Sequence, residues 1–326
     1  RGVTGVGGRP HAEAIALERA GERARGATAY VTFEPCSHHG ETPPCAEALV
    51  GAGIARVVSA LEDPDPRVSG KGHGLLKAAG IELVTGCLAE EAARLNAGFI
   101  TRVRLGRPHV TLKLATSADG MIAEVPGKPV KLTGEAADAR VHMMRALSDA
   151  ILVGSGTWKA DDPELTCRLA GMSDHSPVRV VIDAHAELPK TARLLASIDT
   201  APVWAVVGEG AQASRREALE RAGVRLIEAA NEASGRLDMG AVLGALAAVG
   251  ITRLMVEGGA CIAQSLISAD LVDQIVIFEA PVTLGPGAVP AFAPASRDLL
   301  ADEQRFVLVS SRPLGPDTMR AYERRR

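Results

Sequence analysis

The chain of 326 residues has few aromatic side chains: 2 Trp, 2 Tyr and 5 Phe, 3% of the total. That leaves little material for the stacking platforms that hold unpaired bases. Neither charge sign dominates, since 36 Lys+Arg stand against 39 Asp+Glu for a formal net charge of -3. A basic face for nucleic acid is therefore not expected. No stretch reaches the roughly 18–20 apolar residues a membrane helix requires, so no membrane partner is expected. The longest such run, Met239 to Ile251, contains three glycines and reads as a buried helix. Cysteine is sparse and odd in number, 5 in all, at positions 36, 45, 87, 167 and 261. Thin spacing over a long chain excludes a disulfide framework and fits a reducing compartment, so the expected location is the cytoplasm. The opening Arg1-Gly2-Val3-Thr4-Gly5-Val6-Gly7-Gly8 lacks the basic-then-apolar pattern of a signal peptide.

What is present is ordinary globular composition, 47% hydrophobic and 23% charged, at a length that suits two domains. In the first hundred residues helix-like and strand-like segments alternate. Helices are expected over His11 to Ala20, over Pro43 to Val50 with Thr42 as N-cap, and over Gly74 to Ala79. Strands are expected at 28–33, 54–59 and 81–84. This rhythm implies an α/β domain, residues 1–105, with a mostly parallel sheet. Gly106-Arg107-Pro108 reads as a joint. A second α/β domain, 109–326, is expected beyond it, with strands at 109–115, 150–153, 178–182, 203–207, 253–256 and 274–278.

The first chemical constellation is His11-Ala12-Glu13, then Glu34-Pro35-Cys36 at the end of a strand, then Cys45 at a helix start. A hydrolytic zinc takes three protein ligands of N/S type and keeps one position for water. His11, Cys36 and Cys45 supply that set. Glu13 is left to shuttle protons between water and leaving group. On a regular helix His11 and Glu13 point about 200° apart, so they meet one metal only off the helix N-terminus. Two helix N-termini are therefore expected to converge on it. A structural zinc site would need a fourth protein ligand, for which His38, His39 and His73 are the candidates.

The run Glu-Pro-Cys-Ser-His-His-Gly-Glu-Thr-Pro-Pro-Cys (34–45), with Asp63-Pro-Asp-Pro-Arg-Val-Ser-Gly-Lys-Gly72 and Ala79-Gly-Ile81, resembles the riboflavin-biosynthesis deaminase domain. The resemblance implies a cytidine-deaminase-like fold and zinc-dependent removal of an amino group from a diaminopyrimidine ribosylamino 5′-phosphate. It implies substrate contacts from His38 and Thr42. Two positions depart from the family: Glu41 stands where Lys or Arg is usual, and Asp65 where Asn is common. The family also carries a helix and strands upstream of His11, so the chain is expected to be N-terminally incomplete.

The second constellation lies beyond the joint. It comprises Lys113 and Ala115 on the first strand, Ser117-Ala-Asp119-Gly120, Arg140-Val-His142-Met-Met-Arg145, Gly154-Ser-Gly156-Thr157, Asp161-Asp-Pro-Glu-Leu165-Thr-Cys-Arg168, and Glu257-Gly258-Gly259. Polar residues at strand ends sit where open α/β sheets bind ligands. A Gly-Gly turn opening a helix lets backbone N–H groups approach a pyrophosphate. The usual dinucleotide fingerprint, Gly-x-Gly-x-x-Gly after a first strand, is absent. In order, these segments resemble the riboflavin-pathway reductase over 109 to about 319, which implies a dihydrofolate-reductase-like fold. It implies NADPH-dependent reduction of the ribosyl group to ribityl. By position, Ala115, Thr157, Asp161, Gly258, Gly259, Ala260, Cys261 and Ser265 would face NADPH. Arg145, Leu165, Arg168 and Glu257 would face substrate, and Lys113 would assist proton transfer as the sugar opens. A different reading of Arg145 is a surface arginine paired with Asp149, one turn on. Lys131 stands where many relatives have Trp.

The expected protein is thus a two-step enzyme needing Zn2+ and NADPH, acting on a small phosphorylated ribosylaminopyrimidine, and a homo-oligomer. Three other readings stand beside it: a reductase whose front half is only a structural module, a zinc-stabilised binding module, and a nucleoside or nucleic-acid deaminase.

Overall fold

Thr28-Ala-Tyr-Val-Thr-Phe33, rich in β-branched and aromatic residues, forms β1 (Thr28–Phe33) as its composition dictates. It begins a three-stranded parallel sheet, order β1-β2-β3, with β2 (Arg56–Leu61) and β3 (Glu82–Thr85). The computed structural model describes residues 1–39, 43–128, 130–293, 296 and 299–325. The chain divides there into two compact units, Arg1–Leu105 and Gly106–Arg326.

In the first unit the helices are α1 (Ala12–Ala20), α2 (Cys45–Gly51), α3 (Lys71–Ala78), α4 (Ala89–Leu95) and α5 (Ala97–Leu105). Leu49, Ile54, Val57, Leu76 and Ile81 make its core. Helix starts differ from the sequence reading. His11 is the N-cap of α1, with extended φ -65 and ψ 153, rather than its first helical residue. Helix α2 begins at Cys45, and the extended Pro44 is its N-cap. The expected cap Thr42, like Glu41, lies outside the described residues. Helix α3 starts three residues before the expected Gly74 because a side chain from elsewhere caps it. The buried Glu34 carboxylate accepts hydrogen bonds from the N–H groups of Gly70 (2.9 Å) and His73 (3.1 Å). A Cβ on Gly72 would sit 1.9 Å from the Pro35 carbonyl oxygen, so only glycine allows this close approach.

The second unit is a nine-stranded sheet. Its strands are β4 (His109–Ser117), β6 (Ala150–Gly154), β7 (Val178–Ile182), β8 (Val203–Val207), β9 (Arg225–Glu228), β10 (Arg253–Val256), β11 (Gln274–Ala280), β13 (Phe306–Leu314) and β14 (Asp317–Arg324). Their order is β13-β14-β11-β4-β10-β6-β7-β8-β9, and β5 (Met121–Ala123) pairs separately with β12 (Val289–Pro290). All neighbours are parallel except at β14, which runs antiparallel to both β11 and β13. The helices are α6 (Glu135–Ala146), α7 (Ser155–Asp161), α8 (Arg193–Ala196), α9 (Ala213–Arg221), α10 (Met239–Ala248) and α11 (Ala260–Ser268).

Strands β6 and β8 are buried at every position, as continuous apolar strands covered on both faces must be. Successive residues enter different cores. Leu152 and Val180 pack with α10 and α11, whereas Ile151 and Val181 join a second cluster with Trp158, Leu195 and Leu219. On this second face, β10, β11 and β14 meet α6 through Ala137, Val141, Met255, Val276, Phe278 and Met319. The joint is tied down locally: the Arg107 guanidinium grips the buried Asp273 carboxylate at 2.6 and 3.0 Å.

Two parts of the second sheet were not expected from sequence. Strand β9 is four residues long, too short to show a period. The β13–β14 hairpin closes the sheet with an edge strand that is mostly exposed and carries Pro313, so no apolar alternation marks it.

Candidate active sites

The first site is built at two helix beginnings. Because His11 is an N-cap and Cys45 opens α2, both side chains project off helix N-termini, and the loop after β1 brings Cys36 to them. His11 Nδ1 lies 3.3 Å from Cys45 Sγ and 3.5 Å from Cys36 Sγ. One ligand atom from each of the three residues falls within 4.8 Å of the others. This is the only such cluster among the described residues, so none of His38, His39 and His73 supplies the fourth ligand that a purely structural site would need. His38 is exposed in the loop after β1. His73 is buried against Glu34.

The charge state of the trio suits a divalent cation. Cys36 is lowered to about 5, first because the Cys45 thiol hydrogen-bonds to it, and further by backbone and His11 contacts that outweigh burial. The same bond, with burial and the Glu13 carboxylate, pushes Cys45 up. The pair therefore shares one proton, which a metal ion would replace. The Cys45 N–H points at Cys36 Sγ from 3.3 Å, as a donor to a thiolate should. Burial pushes the Glu13 carboxyl up, against pulls from its backbone hydrogen bond and His11, which suits a group that must both take and give protons. One imidazole nitrogen and two sulfurs are the donor set of a hydrolytic zinc with a free position.

The second site lies at the C-terminal ends of β4, β10 and β6, where open parallel sheets bind ligands. Here the expected contacts prove to hold one another. The Arg145 guanidinium clasps Glu257 in a bidentate pair, Nε–Oε1 2.8 Å and Nη2–Oε2 2.8 Å. Both side chains are nearly buried, 10% and 11% exposed. The surface reading of Arg145 with Asp149 is corrected. Arg145 continues the buried stripe Ala137–Val141 on α6, and Asp149 instead accepts from Thr252 and Arg253. Burial alone would raise the Glu257 carboxyl, but Arg145 and then Lys113 hold it at about 2. Lys113 extends on the same face, 5.8 Å from the Phe278 ring centre.

Nearby, Thr157 Oγ1 accepts the Gly259 N–H at 3.1 Å and so ties together the two glycine-bearing turns. The N-terminus of α11 has no side-chain cap, so the amides of its first turn, at Ala260 and Cys261, are free to face an anion. Ser265 lies further along α11 and is half-buried. The glycines have a packing reason as well. A Cβ on Gly154 would meet Ile262 Cγ1 at 2.7 Å, and one on Gly258 would meet Ile262 Cβ at 2.8 Å. Ala115 is half-buried on β4, and Asp161 is exposed at the end of α7.

Leu165 has a left-handed φ of 58 and a side chain in the core, so only its backbone can face a ligand. Arg168 is half-exposed and reaches Glu164 at 3.4 Å. Sequence reasoning gave no role to Glu34, Thr166 or His142. The i, i+4 spacing of Ala137, Val141 and Arg145 was the available signal that α6 turns this arginine inward.

Residues 108–319 match the family described as RibD C-terminal domain, and residues 3–61 match the cytidine and deoxycytidylate deaminase zinc-binding region. The chain is 39% identical to riboflavin biosynthesis protein RibD of Escherichia coli K12, over 95% of this chain and 85% of that one. It is 40% identical to the Bacillus amyloliquefaciens protein of the same name, over 89% and 78%. Among solved structures, Acinetobacter baumannii RibD superposes with a TM-score of 0.84 at 37% identity, covering 98% of this chain and 86% of that one. The Thermotoga maritima diaminohydroxyphosphoribosylaminopyrimidine deaminase/5-amino-6-(5-phosphoribosylamino)uracil reductase gives 0.80 at 31%, covering 98% and 86%. The yeast reductase Rib7 shares the fold of the second unit, with a TM-score of 0.54 at 20% identity over 72% of this chain and 100% of that one.

Proposed function

Because the chain belongs to the RibD family of riboflavin biosynthesis, bifunctional enzymes with a zinc-binding deaminase region and an NADPH-dependent reductase domain, we propose that its two reactions divide between the trio beside Glu13 and the strand ends around Lys113. The protein is a hydrolase and an oxidoreductase acting on a small phosphorylated pyrimidine. The observation that carries the division is the His11–Cys36–Cys45 cluster, with the carboxylate of Glu13 beside Cys45.

His11, Cys36 and Cys45 would hold the zinc, which when bound would supply an acidified water. Glu13 carries two protons in turn, the first from water to the ring nitrogen and the second from the added hydroxyl to the departing amine. Ammonia leaves and a carbonyl takes its place. His38, and by its place in the sequence Thr42, contact the substrate.

In the second reaction NADPH, when bound, would supply the hydride that reduces C1′ of the sugar. Lys113 gives a proton to the ring oxygen as the ribosyl ring opens. Arg168 binds the 5′-phosphate, a task suited to a forked guanidinium. Glu257, kept ionised by Arg145, orients the ammonium of Lys113 rather than meeting the phosphate itself. Gly258, Gly259, Ala260, Cys261 and Ser265 receive the dinucleotide, with Ala115, Thr157 and Asp161 at its borders.

The reductase-only reading is set aside, because both the deaminase and the reductase family models match the chain and its relatives are RibD proteins over most of their length. A homo-oligomer in the cytoplasm belongs to the same proposal, to be checked by mass in solution and by cell fractionation. One preparation tests the division of labour. Lys113→Ala should suppress NADPH oxidation and leave zinc content and ammonia release intact. Equal loss of both activities would refute it.

A further inference from the structure

Thr166 and Arg168 lie on an irregular segment between α7 and β7, where no ladder of hydrogen bonds fixes the backbone. Two side chains of α6 fix it instead. Arg145 Nη1 donates to the Thr166 carbonyl at 3.1 Å. His142, one turn earlier, places Nδ1 3.1 Å from the same carbonyl oxygen and 3.3 Å from the Arg168 N–H. We propose that His142 is a positioning residue of the reductase site, holding the Arg168 backbone so that its guanidinium is presented to the phosphate of the substrate. This rests on the reading of Arg168 given above.

The hydrogen-bond inventory determines how the ring works. A neutral imidazole has one N–H and one lone pair, so Nδ1 cannot both donate to Thr166 and accept from Arg168. With the proton assigned to Nε2, the Nδ1 lone pair takes the Arg168 amide, and Arg145 serves the Thr166 carbonyl. Protonation would turn Nδ1 into a donor and leave that amide without its acceptor. Burial, with the positive charges of Arg145 and Arg168, lowers the His142 pKa and keeps the ring neutral, while the Thr166 carbonyl and Glu257 pull the other way. The Arg168 guanidinium meets Glu164 at 3.4 Å, and Glu164 is also bound by Arg193 at 2.5 Å. Arg168 can therefore leave that carboxylate for a phosphate while Glu164 keeps a partner.

Steady-state kinetics of NADPH oxidation with the phosphorylated ribosylaminouracil, on the full chain, tests this. His142→Ala should raise KM for the phosphorylated substrate roughly three- to tenfold, the worth of one hydrogen bond. Its kcat and KM for NADPH should stay within about twofold. His142→Asn, which puts an amide oxygen or nitrogen near the place of Nδ1, should recover most of the loss. Arg168→Ala should raise the same KM, and adding His142→Ala to it should change nothing more. Full additivity of the two, or a fall in kcat and melting temperature with KM unmoved, overturns the positioning role while leaving Arg168 as the phosphate contact. An Arg168→Ala enzyme with unchanged KM overturns the reading of Arg168, and the role of His142 falls with it.

Discussion

The two sites are made from different materials. In the first unit three side chains from separate stretches of chain converge on one point, and their chemistry alone describes what they hold. In the second, the site is a row of strand ends and turns, and its charged residues spend their charge on each other. A ligand set read from sequence therefore transfers intact to the first site. At the second, Arg145 and Glu257 look like two independent substrate contacts but form one buried unit. Removing a residue from the first should cost chemistry, and removing one from the second should cost the fold first.

Glu13→Gln tests the first half of that contrast and has the largest expected effect. Ammonia release should fall by about 10²–10⁴-fold, the usual worth of a general acid–base. Metal analysis should still find zinc, and NADPH oxidation should continue. Retained deamination would remove Glu13 from the proton path.

Arg145→Met tests the second half. It strands the Glu257 carboxylate in a buried place, for a destabilisation of about 3–5 kcal/mol in denaturant unfolding of the second unit. Arg145→Met with Glu257→Leu should recover much of it. A single variant as stable as the parent would show that the pair is a binding feature and not a structural one.

The glycines separate packing from ligand approach. Gly154→Ala and Gly258→Ala should each destabilise by about 1–3 kcal/mol through overpacking against Ile262. Ile262→Ala should rescue the first, because it removes the Cγ1 atom that lies 2.7 Å from the new methyl. It should not rescue the second, because the clashing atom is the Ile262 Cβ, which alanine keeps.

The smallest effect is electrostatic. Glu257 is held at about 2 in the folded protein, below the ordinary glutamate value. A depressed carboxyl contributes stability above its unfolded pKa and loses it as pH falls toward the folded one. Between pH 4.5 and 3 the parent should therefore lose about 1–2 kcal/mol that a Glu257→Gln variant does not lose. Parallel stability curves in that window would mean the carboxylate is not held ionised by Arg145.

The amino-acid sequence by itself pointed to the cluster of His11, Cys36 and Cys45 and to its place off two helix N-termini. Ligand chemistry permits few residue types, and a His-x-Glu spacing can serve one metal only off a helix end, where His11 is the N-cap. It also determined the central parallel strands, because β6, β7 and β8 are apolar runs long enough to read. Only the tertiary structure decided that the partner of Arg145 is Glu257, 112 residues away, since a charge pair between distant segments leaves no local pattern. The same holds for the cap that Glu34 places on α3 and for the β13–β14 edge. Those features satisfy hydrogen bonds across the fold, and such partners become neighbours only when the sheet has brought them together.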